Sequence, residues 1–183
     1  MSGASDGELA ALQLSGNSAA AREIMRRHRD SIYRLVQSHI GDASEALDLT
    51  QEAFIAAFAG LRSYDHRRPF RAWLSRIAIN KCRDWARRRA VRRFFTFAAP
   101  LEAANYTAAD LVPADQVLAA AQELATVRTA IAALPVALKE PLILRTIEGL
   151  SETETAQALG ISNKAVETRL YRARAALGKA VAR

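Results

Sequence analysis

Two stretches of this chain carry residue types whose spacing suits work on a polyanion. The first, "LRSYDHRRPFRAWLSRIAINKCRDWARRRAVRRFF", runs from Leu61 to Phe95 and interleaves arginines with Tyr64, Phe70, Trp73, Trp85, Phe94 and Phe95. Arginines bind phosphates without regard to sequence and give strong salt dependence. Aromatic rings stack on unpaired bases, as single-strand binders do. The run Arg87, Arg88, Arg89, Arg92 and Arg93 is too dense for a merely solvated face and points to phosphate contact. Trp73 and Trp85 fall on the apolar stripe of their segment and are expected in a core.

The second stretch, "LSETETAQALGISNKAVETRLYRARAAL", spans Leu150 to Leu177. Ser151 and Glu154 fit a capping box, Gly160 suits a left-handed helix end, and Ser162 caps a following helix. Val166, Leu170, Ala173 and Leu177 recur at helical spacing as one buried face. Two helices joined by a three-residue turn make a helix-turn-helix, whose second helix enters a major groove. Lys164, Arg169, Arg172 and Arg174 are then candidates for phosphate or guanine, and Asn163 and Thr168 for base or phosphate. Tyr171 is placed to pack along the groove wall. Glu167 is the one acid among these neighbours, and three readings stand: it accepts from a cytosine, it pairs with Lys164 or Arg174 and orients it, or it points to solvent.

The elements that must hold these residues are helical. Ile24, Ile32, Leu35, Val36 and Ile40 form one apolar stripe; Leu49, Ala53, Ala57 and Leu61 form another, with Phe54 and Phe58 beside it. Trp73, Ile77, Cys82 and Trp85 mark a third helix. No alternating strand pattern persists, so the fold class is all-α. From Phe94 to about Val117 neither period holds, and Pro100 and Pro113 punctuate the stretch. A loop of that length inside one compact domain is unusual and argues for two small helical domains joined by a flexible linker. The expected division is a tail at 1–19, a first domain at 20–95, a linker at 96–117 and a second domain at 118–183. In the second domain Leu124, Val127, Ile131 and Leu134 carry a helix ended by Pro135, and a short helix follows with Pro141 near its start and Gly149 closing it.

Charge supports the division. The net charge of the 183 residues is +7, yet it comes to −3 over 1–61, +10 over 62–100, −3 over 101–134 and +3 over 135–183. Two basic blocks imply two nucleic-acid contacts. One cysteine, Cys82, excludes an internal disulfide and fits a reducing cytoplasm. The first residues lack the layout of a secretory signal, and no apolar run approaches the ~18 residues of a bilayer span, so a cytoplasmic location is expected. His28, His39 and His66 show no metal spacing with Cys82, and phosphate-binding glycine loops and nucleophile elbows are missing. These absences argue against an enzyme, a cofactor or a small-molecule substrate. A stand-alone helix-turn-helix regulator remains an alternative, as does a decoy for an inhibitor.

Taken together, the blocks resemble one family. "DLTQEAFIAAFAGLRSYD" is similar to region 2.2 of the extracytoplasmic-function sigma factors, the smallest branch of the bacterial sigma-70 family. "FRAWLSRIAINKCRDWARRRA" is similar to their regions 2.3 and 2.4, and "ALPVALKEPLILRTIEGLSETETAQALGISNKAVETRLYRARAAL" to regions 4.1 and 4.2. The resemblance implies an alternative sigma factor, monomeric when free, that binds the RNA polymerase core through the β′ clamp and β flap and directs initiation at promoter DNA. It implies an anti-sigma factor as a further partner, frequently membrane-anchored. By the same resemblance Asp48, Gln51, Glu52 and Ile55 would face the polymerase. Arg62, Arg76, Asn80, Lys81, Arg83, Arg87 and Arg88 would meet the −10 element, with a flipped base captured by the loop around 61–69. Asn163, Lys164, Glu167, Thr168, Arg169, Tyr171, Arg172 and Arg174 would meet the −35 element. The linker would thread the polymerase cleft. Two positions depart from the family pattern: Glu167 stands where a basic or small residue is usual, and Thr155 where an aliphatic one is.

Overall fold

Ser5 begins the first helix with a full capping box. Its hydroxyl accepts from the Glu8 amide at 3.2 Å, and the Glu8 carboxylate accepts from the Ser5 amide at 2.6 Å. The helix, α1 (Asp6–Leu14), buries Leu9 and Ala10 against α2 (Ser18–Ile40). Asp6 fastens it there, accepting from Arg27 Nη1 at 3.1 Å and meeting His28 Nε2 at 2.8 Å. Residues 1–19 were expected as a tail. They hold a packed helix, and its sequence signature was the Ser5–Glu8 spacing.

The computed structural model describes residues 3–96 and 115–181. Residues 97–114, most of the expected linker, lie outside them, as do the side chains of Arg93, Phe94 and Phe95. The described residues form helices without a strand. In the first half, α2, α3 (Ala43–Ala59) and α4 (Phe70–Thr96) pack on one another, with a 3-10 turn at Leu61–Ser63 between α3 and α4. Of the stripes expected from periodicity, Ile24, Ile32, Leu35 and Val36 on α2, Leu49, Ala53, Ala57 and Leu61 on and just after α3, and Cys82 and Trp85 on α4 are buried, while Ile40, Trp73 and Ile77 are only partly covered and Ile79 is buried in their stead. The backbone of α4 runs on through Phe94 and Phe95 to Thr96, slightly past the point where apolar periodicity fades.

The second half comprises α5 (Asp115–Ala133), α6 (Val136–Thr146), α7 (Glu152–Leu159) and α8 (Asn163–Val181). Its first helix starts at Asp115, a few residues before the expected boundary. Pro135 sits at the N-cap of α6, where its missing amide costs nothing, and Pro141 lies inside that helix rather than near its start. All three other helices pack against α8.

The halves are in contact. α2 lies against α5 and α6, and α4 against α7, so one apolar cluster runs through both. Gly41 ends α2 at φ 77°, and a Cβ built there would come within 2.9 Å of the Ala132 Cβ on α5. Only glycine allows both that turn and that approach.

Candidate nucleic-acid and partner surfaces

The outer face of α3 is mixed polar and apolar. Leu47 is 57% exposed and Ile55 69%, two turns apart, with Asp48 and Gln51 exposed between them. Large aliphatic side chains held in water on one helix face suit a protein partner. Leu47 was not picked out from sequence; its spacing of eight from Ile55 was the available signal. Glu52 is only half exposed and turns toward α4, 3.5 Å from Lys81 Nζ and 3.9 Å from Arg88 Nη2.

The loop before α4 and the first turns of α4 enclose an open cleft of about 560 Å³. Tyr64 and Trp73 form an aromatic wall, while Arg76, Asn80, Ser63 and Asp65 supply polar groups. Tyr64 packs edge-on to Phe70 at 5.1 Å and against Trp73 at 5.3 Å, and its hydroxyl donates to the Arg68 carbonyl at 2.7 Å. The loop is thereby pinned to α4 before any ligand arrives. Trp85 is a core residue as expected, its indole donating to Glu45 at 2.9 Å. Trp73 is half-buried and lines the cleft, so it serves packing and cleft together.

The seven −10 candidates separate, six on α4 and one before it. Arg76, Asn80, Arg83 and Arg87 recur at steps of four, three and four and share one stripe. Lys81 and Arg88 sit round the helix beside Glu52. Arg62 is exposed in the 3-10 turn. Arg87 pairs with Asp84 one turn back, and the Arg89 guanidinium stacks on Trp85 at 5.0 Å. Arg83 is committed elsewhere: its Nε and Nη2 donate to the Glu140 carboxylate of α6 at 2.7 and 2.5 Å.

In the second half the expected caps are in place. Ser151 and Glu154 exchange hydrogen bonds at 2.6 and 3.2 Å, Gly160 takes φ 67°, and Ser162 Oγ accepts from the Ala165 amide at 3.1 Å. Asn163 Nδ2 donates to Thr153 Oγ1 at 3.3 Å and ties the two helices across their turn. Val166, Leu170 and Ala173 are buried. Lys164, Glu167, Thr168, Tyr171, Arg172 and Arg174 face water, and Arg169 is partly covered. Glu167 accepts from Lys164 Nζ at 2.7 Å, which favours the orienting reading among the three. Thr155 is fully buried, and its hydroxyl has no hydrogen-bond partner.

A sigma-70 region 2 family model matches residues 24–92, and a sigma-70 region 4 model matches residues 124–177. The chain is 40% identical over 172 residues to RNA polymerase sigma factor CnrH of Cupriavidus metallidurans, covering 92% of this chain and 90% of that one. It is 33% identical over 169 residues to ECF RNA polymerase sigma factor SigW of Bacillus subtilis, covering 90% of each. The solved structure of CnrH in complex with the cytosolic domain of CnrY superposes with a TM-score of 0.69 at 34% identity, covering 95% of both chains.

Proposed function

The chain belongs to the sigma-70 family, in its extracytoplasmic-function branch, and is an alternative sigma factor; from that premise we propose how its surfaces divide the work of initiation. The exposed face of α3, with Leu47, Asp48, Gln51, Glu52 and Ile55, docks on the β′ clamp of RNA polymerase core, and the second half engages the β flap. The stripe Arg76, Asn80, Arg83 and Arg87 follows −10 phosphates, with Arg62, Lys81 and Arg88 flanking it. The exposed face of α8 from Asn163 to Arg174 reads the −35 element in the major groove. The protein acts by recognition and carries out no reaction of its own. As CnrH forms a complex with the cytosolic domain of CnrY, a protein partner of the anti-sigma kind is proposed for this chain too.

The observation that carries this reading is the cleft at the head of α4. Its lining combines the rings of Tyr64 and Trp73 with the polar groups of Ser63, Asp65, Arg76 and Asn80, beside a loop already pinned by Tyr64. An unstacked base needs such a site: a ring face for stacking and hydrogen-bonding groups for its edge. Melting a promoter costs unstacking energy, and a preformed cleft that captures the extruded base offsets it.

Purified polymerase core, with and without the chain, on genomic fragments tests the function. Specific transcripts are expected only with the chain, and a transcript pattern no more specific than core alone refutes it. Asn80→Ala tests the cleft. It should slow initiation on duplex promoters more than on promoters mismatched at −10, and equal slowing on both would remove the cleft from melting.

A further inference from the structure

The first helix lies behind the cleft. α1 touches the 3-10 turn that opens the loop, and a Cβ built on Gly7 would lie 3.7 Å from His66 Nδ1, an ordinary contact distance. Asp6 is the point of attachment. One carboxylate oxygen accepts from Arg27 Nη1 at 3.1 Å, and the other meets His28 Nε2 at 2.8 Å. The same Arg27 nitrogen donates to the Ala4 carbonyl at 2.7 Å, so the start of α1 is held at several points. His28 is buried, and its ring lies 5.5 Å from that of Phe70, which is buried too. Phe70 in turn meets Tyr64 at 5.1 Å and Trp73 at 5.4 Å, the two rings that line the cleft. His66 completes the group, edge-on to Tyr64 at 4.9 Å. Burial first, and then the charge of Asp6, push the Tyr64 hydroxyl above its ordinary range, in keeping with a carboxylate close behind that ring.

We propose that α1 is a working part of the cleft: Asp6, acting through His28 and Phe70, is a positioning residue that holds Tyr64 and Trp73 where they receive an extruded base. The inference rests on the reading of the cleft as a base-capture site. Two rings can offer their faces to a base only if the space behind them is filled and does not shift. Phe70 fills it, and His28 packs behind Phe70. An imidazole turns easily about its outer torsion unless a ring nitrogen is held. Asp6 holds Nε2 and removes that freedom. A site supported in this way is arranged before its ligand arrives and loses less entropy on binding. Asp6 is not needed to form α1 itself. The Ser5–Glu8 capping box starts the helix, and Leu9 and Ala10 bury its inner face. The Asp6 carboxylate instead reaches across to α2, where the row of rings that ends in the cleft begins.

The test uses the full chain loaded on polymerase core and a fluorescein-labelled single-stranded oligonucleotide. The oligonucleotide carries the −10 element of a promoter found in the transcription test. Each base of the element is replaced in turn by an abasic site, and circular dichroism shows that each variant is folded. In wild type one abasic position should weaken binding most, and that position holds the captured base. Asp6→Ala should bind the intact oligonucleotide about fivefold more weakly than wild type, and the one abasic at that position less than about twofold more weakly. Removal of an acid raises the net charge, so long-range attraction alone would strengthen binding, against the expected result. Asp30→Ala removes the same charge from an exposed residue of α2 and should weaken no oligonucleotide. If Asp6→Ala does not fold, Asp6→Asn keeps the size of the side chain and takes its place, with the same expected direction and the same refutation. Equal weakening of intact and abasic oligonucleotides, or none, overturns the positioning role and leaves the cleft reading in place. The same base-dependent loss in Asp30→Ala also overturns it. If no abasic position weakens the wild-type complex, no base is captured, and the cleft reading and the inference fall together.

Discussion

Salt dependence can tell which cations on α4 touch phosphate. Arg76→Ala with Arg87→Ala removes two guanidiniums from the exposed stripe. Lys81→Ala with Arg88→Ala removes two charges that already face Glu52 at 3.5 and 3.9 Å. Both pairs change the net charge equally, so long-range attraction changes alike. Each released counterion contributes about 0.7 to the slope of log K against log salt on single strands and about 0.9 on duplex. The stripe variant should therefore lose about 1.4 to 1.8 from the slope, which over a fourfold salt change is about seven- to twelvefold in affinity. The Glu52-facing variant should lose less, because both of its charges face an acid in the free chain, whereas in the stripe pair Arg87 has Asp84 beside it and Arg76 is in no ion pair with a carboxylate among the described residues. The assay is promoter binding by polymerase core loaded with each variant, from 50 to 200 mM salt, with the core's own contribution common to both. A slope near the lower value favours a melted strand under α4. Equal loss in the two variants would show that the stripe has no special contact, and an unchanged slope in the first would remove Arg76 and Arg87 from the DNA altogether.

Thr155→Val should raise stability by about 1 kcal/mol, about 2–4 °C in midpoint, since a buried hydroxyl without a partner disappears. Thr50→Val should lower it, because the Thr50 hydroxyl donates to the Ala46 carbonyl at 2.7 Å; two changes of the same sign in thermal melts would refute the contrast. Glu167→Gln should leave the midpoint nearly unmoved, as its pair with Lys164 is exposed, yet alter the preferred −35 sequence in a selection from randomised sites. If only overall affinity moves, Glu167 is a bystander. Stability should also fall on acidification. Burial holds His39 below its usual range, so the unfolded chain takes up that proton first, and the contribution present at neutral pH is lost as pH falls below about 6.5. Burial works to raise Glu140, but Arg83 and His39 outweigh it and hold the carboxyl below its usual range, so its contribution is lost only below about pH 4. Urea midpoints at pH 7 and 5.5 should separate, and an equal separation in His39→Gln would discard His39 as the cause.

Local features were legible in the sequence because they depend on neighbours a few residues apart. The stripes of α2, α3 and α8, the caps at Ser151 and Ser162 and the turn at Gly160 follow from helical spacing and backbone chemistry. The Glu167–Lys164 pair was one of three readings for the same reason, being one helical turn in length. Trp73 was harder: its position on an apolar stripe says that one side is packed, and only the arrangement of the loop decides that its other side lines a cleft. The contacts of Glu140 and Glu148 were out of reach. Their partners lie 57 to 117 residues away, and no period links such positions.

Segment charges concealed the same feature by averaging. The +3 over 135–183 marked a second basic block beside the +10 of the first. Within that block, however, Glu140, Glu148, Glu152 and Glu154 come early, while Lys164, Arg169, Arg172, Arg174 and Lys179 come late. Folding turns that order into sidedness. Glu140 and Glu148 face the first half, and Glu154 lies close enough to Arg71 for its charge to help hold the carboxyl down, after the larger effect of the Ser151 hydrogen bonds. Of the late cations, Lys164, Arg172, Arg174 and Lys179 project into water from α8, and Arg169 is partly covered. A domain so polarised rests its acidic side on the first half and leaves its basic side open for the proposed −35 contact. The carboxylate at Glu167 fits the proposed division of contacts: were α4 to supply affinity at −10, α8 could keep an acid that orients Lys164 at the expense of maximal attraction.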